Sequence, residues 1–362
     1  MLSKGTEFNI PVWVITIDLK KAFDRVDHTA LFRALRSQMD QEYVKLLERL
    51  YKNQHGNVGG HRFPITRGVR QGDVLSPLLF NAVLEHAMAK WKRKLRSHGF
   101  CLYADNEHER LTNIRYADDI LLFGKSLDEV VSMLELLSDV LLEYGLELNS
   151  KKTKILCNEH VNEETVHCIT KCGSIEILAA AEKHKYLGRM FSGEIRNRGK
   201  VAVAHRISCG WMKYHALQHI FEDKHIPICL RLKLFDAAIT PTILYSLETC
   251  PLTDHLQERL NIVQRTMLRR MVGWVCRADD TWEERGRRMK DKMSSCLSRH
   301  PINEWSESIH ERKVKCFNAV EDLPFWTRSV LNWDPVICAH ANFCNAFRLR
   351  GHPLTRWYDG IS

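Results

Sequence analysis

Three aspartates lie after or within apolar, β-prone segments. Carboxylates in such positions can bind metal ions. Asp18 follows the run PVWVITI, and Asp118 and Asp119 lie inside NIRYADDILLFGKS. These flanks predict that Asp18 ends a strand and that the other two occupy the tip of a hairpin. Carboxylates gathered in a buried setting repel one another unless cations lie between them, whereas surface turn carboxylates do not need cations. We expect the buried arrangement, and with it a site where two Mg²⁺ ions assist phosphoryl transfer.

The segments around these aspartates predict the elements that position them. Val12–Leu19 is rich in β-branched residues, which favours a strand, and the YADD hairpin follows much later. Between and after them, apolar spacing predicts helices over His28–Arg36, from Ser76 to Leu95, and from Ser126 to Gly145. Further strand-like segments lie in LELNSKKTKILC and YLGRMF. This order predicts an α+β fold with a small antiparallel sheet backed by helices on one face.

The pattern changes after about residue 194. Helical spacing continues around 200–222, 227–240 and 253–274. The last of these segments has a basic face formed by Arg259, Arg265, Arg269 and Arg270. From about 275 the composition shifts to Trp, His, Arg and Pro. We therefore predict three regions: 1–192 around the aspartates, a helical region at 193–275, and a C-terminal region at 276–362 whose role stays open.

Length and composition set the class of protein. The 362 residues suit about two to three domains, with 44% hydrophobic residues for the cores. There is neither an export signal at the N-terminus nor a run of the roughly 18 apolar residues that a membrane helix needs. We expect an intracellular protein, in the nucleus or the cytoplasm, with no membrane partner. The 12 cysteines are scattered, which favours free thiols in a reducing compartment.

Charge is distributed unevenly along the chain. Residues 1–150 hold 20 basic and 20 acidic residues, so the whole net charge of +9 belongs to residues 151–362. A basic half beside an acidic metal site suits a polyanionic ligand. The charge alone favours the alternative, an ordinary surface with excess Lys and Arg.

Several motifs occur in one order that resembles a known family. DLKKAFDRVDH, GVRQGDVLSPLLFN, YADDILLF and GLELNSKKTKIL resemble the first four palm motifs of reverse transcriptases, and YLG at 186–188 resembles the start of the primer-gripping motif. The resemblance covers about residues 9–191 and is strongest to retrotransposons that lack long terminal repeats. It implies a polymerase palm, a helical thumb and a small C-terminal region.

The resemblance assigns roles to the first and third motifs. Asp18, Asp118 and Asp119 would be the catalytic carboxylates that hold two Mg²⁺ ions, with Mn²⁺ as an alternative. Phe23, five residues after Asp18, would lie under the sugar and exclude a 2′-hydroxyl. The spacing of Phe23 alone equally fits a core residue. Tyr116 of YADD would belong to the nucleotide and template site.

Roles also follow for the other motifs. Arg70, Gln71 and Gly72 would contact the incoming dNTP or the template, although exposed arginines are usually only solvated. Lys152 is the candidate proton donor to the leaving pyrophosphate, and the alternatives Lys151 and Lys154 stay open. For any single one of these lysines, the sequence favours a solvated lysine-rich turn. Residues Tyr186, Leu187 and Gly188 would press on the primer strand.

The chain departs from the family pattern at its front. Family members carry a fingers subdomain before the first motif, whereas barely ten residues precede PVWVITIDL here. We therefore expect a truncated copy without fingers or an upstream endonuclease, which would position its nucleotide poorly.

The sequence leaves three hypotheses for the role of this protein. The first is an RNA-directed DNA polymerase of a retrotransposon, whose partners are an RNA template, a DNA primer and dNTP. The second is an inactive remnant that still binds nucleic acid, and the third is a structural relic. The sequence leaves the oligomeric state open.

Overall fold

The chain folds into two compact units. The structure is a computed structural model that describes residues 1–102, 110–158, 165–192, 194, 197–273, 281–320, 329 and 333. Of the described residues, the first unit comprises Met1–Glu182 and Trp333, and the second comprises those from Lys183 to Ser329. The domain boundaries at 192 and 275 stay a prediction. Of the predicted C-terminal region 276–362, the structure describes residues 281–320, 329 and 333.

The first unit combines strands and helices. Its strands are β1 Trp13–Ile17, β2 His55–Val58, β3 His61–Pro64, β4 Phe100–Cys101, β5 Arg110–Leu111, β6 Asn113–Tyr116, β7 Asp119–Gly124, β8 Lys154–Cys157, β9 Val166–Thr170 and β10 Gly173–Ile177. Its helices are α1 Leu2–Glu7, α2 Ala22–Arg25, α3 His28–Arg36, α4 Gln41–Tyr51, α5 Ser76–Lys94 and α6 Leu127–Leu142.

Six of these strands form one sheet with β1 near its middle. The order is β6-β7-β1-β8-β10-β9, and every neighbouring pair is antiparallel except β8 with β10. All five residues of β1 are buried, because strands flank it on both sides and apolar side chains cover it. The predicted antiparallel sheet is thus confirmed apart from one parallel pair.

Helices α3, α5 and α6 back this sheet. Helix α5 packs against α3 and α6, and α6 packs against β1 and β7. The fully buried Trp91 and Phe80 of α5 belong to the shared core, and the Trp91 indole donates to the Met133 carbonyl at 3.0 Å. Burying an apolar side chain of this size contributes about 1.5–3 kcal/mol. The predicted α+β fold is confirmed.

Polar residues set where two of these helices begin. Asp27 accepts the N–H of Ala30 at 2.9 Å and caps α3, and Ser126 accepts the N–H of Glu129 at 3.2 Å and caps α6. A cap of this kind contributes about 1 kcal/mol, because it satisfies an N–H that has no partner within the helix. Both helices therefore start where the sequence predicts.

The second unit is a hairpin followed by helices. Its elements are β11 Lys183–Tyr186, β12 Arg189–Ser192, α7 Arg198–Ala216, α8 Gln218–Phe221, α9 Ile228–Leu244, α10 Asp254–Val272, α11 Trp282–Arg299 and α12 Trp305–Val320. Helix α7 packs against β12, α9 and α10, and α10 packs against α12. The helices predicted after residue 194 are therefore present in the described part of the chain. No helix within that part is long and apolar enough to span a membrane.

Candidate active site

The pairing of β1 with β7 brings the three predicted aspartates together. In the antiparallel register Ile17 lies opposite Ile120. Because Asp18 follows Ile17 and Asp119 precedes Ile120, the same register places these two aspartates side by side at one end of the strands. Asp118 precedes Asp119 in the turn between β6 and β7.

That turn has only two residues and a strained backbone. Tyr116 pairs with Asp119, so Ala117 and Asp118 form the loop. Ala117 has a φ of 51°, a left-handed conformation that costs a residue with a Cβ about 1–2 kcal/mol. Strain of this kind often accompanies functional sites, where surrounding structure holds it. Tyr116, the last residue of β6 before this turn, is 70% exposed, so a ligand can reach it.

The three carboxylates influence one another electrostatically. The pKa of Asp119 is raised, first by burial and then by the negative charges of Asp118 and Asp18. Oxygen ligands that repel one another are suited to a hard divalent cation, which relieves the repulsion. As the side chains stand, no group of three or more His, Cys, Asp or Glu in the described ranges is already arranged around an ion position. The donor chemistry fits Mg²⁺, and the metal site stays a prediction.

Asn149 is a residue of this site that the sequence analysis missed. Its side-chain amide donates to Asp18 Oδ2 at 3.0 Å, and its backbone N–H donates to the Asp18 carbonyl at 2.8 Å. Its own carbonyl accepts the N–H groups of Lys152 and Thr153 at 3.1 and 2.9 Å. Asn149 thereby fixes both Asp18 and the following turn. Asparagine favours such turns, so its place in LELNSKK was the available signal.

The structure distinguishes the three candidate lysines. Lys152 Nζ lies 3.8 Å from Asp18 Oδ1, and its side chain is 70% exposed. Lys154 is instead engaged with Glu176 across β8 and β10, and Lys151 is exposed in the turn. Only Lys152 among them is paired with a predicted catalytic carboxylate. Its role as a proton donor stays a prediction.

Phe23 lies on the core but is not enclosed by it. Its ring stacks on Phe80 with centroids 4.6 Å apart and planes at 22°, and the residue is half-buried. Its carbonyl accepts the N–H of Val69 at 2.7 Å, which draws the GVRQGD segment alongside α2. A half-buried ring can support the core and still meet a sugar, so the sugar-contacting role of Phe23 stays a prediction.

The GVRQGD segment lies close to the first motif and opens to solvent. Gly68 has a φ of 88°, and a Cβ there would meet the Asp24 carbonyl oxygen at 2.7 Å, so glycine is required for this approach. Gln71 Nε2 donates to Asp24 Oδ1 at 3.1 Å, and Arg70 is exposed. Gly72 has a φ of 87° with open space around it, which leaves room for a ligand.

The predicted primer-gripping residues lie in the second unit. Tyr186 closes the β11–β12 hairpin opposite Arg189, and Leu187 and Gly188 form its two-residue turn. Their φ angles are 47° and 75°. The hairpin therefore belongs to a different unit from the three aspartates.

The chain belongs to the reverse transcriptase (RNA-dependent DNA polymerase) family, because the model of that family matches residues 9–191, half of the chain. It is 30% identical over 207 residues to the retrovirus-related Pol polyprotein from type-1 retrotransposable element R2 of Nasonia vitripennis. This alignment covers 53% of this chain and 19% of that protein. It is 23% identical over 280 residues to the RNA-directed DNA polymerase from mobile element jockey of Drosophila funebris. This alignment covers 73% of this chain and 29% of that protein. These matches confirm the predicted kinship with retrotransposons that lack long terminal repeats.

A solved structure of apo telomerase from Candida tropicalis superposes with a TM-score of 0.40 and 14% identity, over 87% of this chain and 48% of that one. The chain spans less than a third of the length of the two retrotransposon relatives.

Proposed function

We propose that this chain is an RNA-directed DNA polymerase of a retrotransposon, which extends a DNA primer on an RNA template with dNTP. The observation that carries the proposal is the placement of Asp18, Asp118 and Asp119 at adjacent strand ends inside the region of the family match. The proposal includes the predicted location in the nucleus or the cytoplasm.

The reaction joins the primer 3′-oxygen to the α-phosphorus of the dNTP and breaks the bond to pyrophosphate. Two divalent ions, Mg²⁺ or Mn²⁺, bound to the three aspartates would stabilise charge on the attacking and leaving oxygens. Asn149 holds the Asp18 carboxylate in one orientation, which favours a constant geometry during turnover. Lys152, beside Asp18, would give a proton to the leaving pyrophosphate.

Other residues would select and hold the substrates. Phe23, supported from below by Phe80, would exclude the 2′-hydroxyl of a ribonucleotide. Arg70, Gln71, Gly72 and Tyr116 would contact the dNTP and the template, since all four are exposed.

The test is Mg²⁺-dependent primer extension by the 362-residue chain. Asp118→Asn removes a metal-binding charge but no packing group, so extension should fall at least about a hundredfold while the melting temperature stays unchanged. Asp40→Asn is the matched control, because Asp40 is exposed at the start of α4 and its side chain makes no capping hydrogen bond there. Near wild-type extension by the Asp118 variant would contradict the proposed site.

The second candidate is a nucleic-acid-binding protein without polymerase activity. It is favoured by the basic residues of α10, of which Arg269 and Arg270 are exposed. Part of the predicted basic face is neutralised, because Arg265 pairs with Glu258 and Glu304. Salt-sensitive binding with no primer extension at any divalent ion concentration would favour this candidate.

A further inference from the structure

The turn between β11 and β12 is built in a conformation that needs support. Leu187 and Gly188 both have positive φ angles, the pattern of a tight turn that suits glycine at either place. Leu187 carries a Cβ and a branched side chain, so its left-handed backbone is unfavourable. The hairpin has only two strands, and such hairpins are marginally stable on their own. Something outside the hairpin must therefore hold this turn.

Two side chains from different helices bind the two carbonyls of the turn. Tyr245, at the end of α9, donates its hydroxyl to the Leu187 carbonyl at 3.0 Å. Arg206, on α7, donates a guanidinium N–H to the Gly188 carbonyl. Because consecutive carbonyls are held, the orientation of both peptide planes is restricted. The turn cannot rotate without breaking one of these bonds.

The same two side chains support each other. The Arg206 guanidinium carbon lies 4.5 Å from the centroid of the Tyr245 ring, a cation–π contact. Arg206 is only 9% exposed, and its guanidinium group contacts this ring and the Gly188 carbonyl. A Cβ at Gly188 would lie 3.3 Å from Tyr245 Cε1, which shows how closely the turn approaches the pair. Arginine and tyrosine thus form one preassembled support.

The supported turn presents its side chain outward. Leu187 is 39% exposed although it is apolar, and the neighbouring Tyr245 is 49% exposed. A ligand can therefore reach both side chains beside a turn whose two carbonyls are held. We propose that Arg206 and Tyr245 are positioning residues that hold the turn 186–188 in the form that engages the primer strand. This inference rests on the proposed polymerase function and on the predicted role of that turn.

The experiment compares Tyr245→Phe with the wild-type 362-residue chain. This change removes the hydroxyl donor but keeps the ring beneath Arg206, so folding should be preserved. Loss of one hydrogen bond of ordinary strength should raise the KM for an RNA-template/DNA-primer duplex about three- to tenfold. The KM for dNTP and kcat should change less than about twofold, because the carboxylate site is untouched. Tyr43→Phe, at an exposed tyrosine on α4, is the matched control and should change none of these constants.

Hydrogen exchange of the peptide 183–192 provides a readout that does not need catalysis. Exchange should be faster in Tyr245→Phe than in the wild type and unchanged in Tyr43→Phe. Arg206→Lys keeps a charged donor and should retain more primer affinity than Arg206→Gln. Faster exchange with an unchanged primer KM would show that Tyr245 only stabilises the hairpin, and this would overturn the inference. Unchanged exchange would also overturn it.

The outcomes separate this inference from the proposed function. If the wild-type chain extends primers but Tyr245→Phe shows the wild-type KM, the polymerase assignment stands and the positioning role fails. If the wild-type chain extends nothing, the proposed function fails. The dissociation constant of the same duplex, measured by fluorescence anisotropy, then decides whether Tyr245 positions the turn for nucleic acid.

Discussion

At the scale of single residues, Phe23 combines a stacked ring with partial exposure to solvent. One face rests on Phe80, which is fully buried, while the residue as a whole is only half-buried. Stacking on Phe80 favours one position of the Phe23 ring, because such a pair contributes about 0.5–1.5 kcal/mol beyond the area it buries. Rigid support is what exclusion of a single hydroxyl group requires. A mobile ring would make room for it.

We predict that Phe23→Ala admits ribonucleotides during primer extension. The smaller side chain opens space where the 2′-hydroxyl would lie, so the preference for dNTP over rNTP should fall at least about tenfold, which is about 1.4 kcal/mol. The measurement is the ratio of kcat/KM values for dCTP and CTP. Phe32→Ala, at a partly buried ring of α3 outside the predicted sugar site, controls for loss of packing. Equal discrimination in the Phe23 variant and the wild type would assign Phe23 to the core alone.

At the scale of elements, the end of β1 and the turn before β8 form one structure. Leu19 pairs with Leu148 as an isolated bridge, and Asn149 then donates twice to Asp18. The orientation of the Asp18 carboxylate therefore depends on a turn that lies about 130 positions later in the chain. A hydrogen bond to a carboxylate contributes about 1.5–3 kcal/mol, more than one between neutral groups.

Asn149→Ala should lower kcat for primer extension about tenfold or more, because the Asp18 carboxylate loses a charge-assisted hydrogen bond and its fixed orientation. The KM for the primer–template duplex should stay close to that of the wild type. Asn57→Ala, at an exposed asparagine of β2, is the control for a simple change of residue type. A raised duplex KM with normal kcat would show that Asn149 serves binding and not the carboxylate.

Across the whole chain, the positive charge is carried by the part that follows residue 150. Of the four arginines predicted to form the basic face of α10, Arg269 and Arg270 are exposed, and Arg265 is paired with two glutamates. Arg270 also lies over the Trp211 ring at 4.8 Å, which fixes its charge near the surface of α7. These two arginines are the positions on α10 best placed to meet phosphates.

The intact chain should bind RNA–DNA duplex without sequence preference and with an affinity that falls steeply as salt rises, because phosphate contacts release counterions. Arg269→Glu with Arg270→Glu should weaken binding further and reduce the slope of log K against log salt by about two, one for each lost phosphate contact. Arg49→Glu with Arg96→Glu, at two exposed arginines of the first unit, is the charge-matched control. Salt-insensitive binding would argue against a phosphate-binding surface here.

Much of the fold was predictable because its signals are local. The apolar runs that form β1 and β7, the caps Asp27 and Ser126, and the two-residue YADD turn all act over a few neighbouring residues. Local patterns also placed the three aspartates at strand ends, and the antiparallel register then brought them together. The motifs that identify the family are continuous segments, so they too could be read directly.

Only the tertiary structure decided which distant residues support these segments. Asn149 reaches Asp18 because β1 pairs with β8, and Arg206 and Tyr245 reach the 187–188 turn because α7 and the end of α9 pack beside the β11–β12 hairpin. The spacing of these residues does not predict such contacts, because they depend on strand pairing and helix packing between segments that are far apart in the sequence. The amino-acid sequence by itself determined the chemistry and the elements that carry it, and long-range packing determined how that chemistry is held in place.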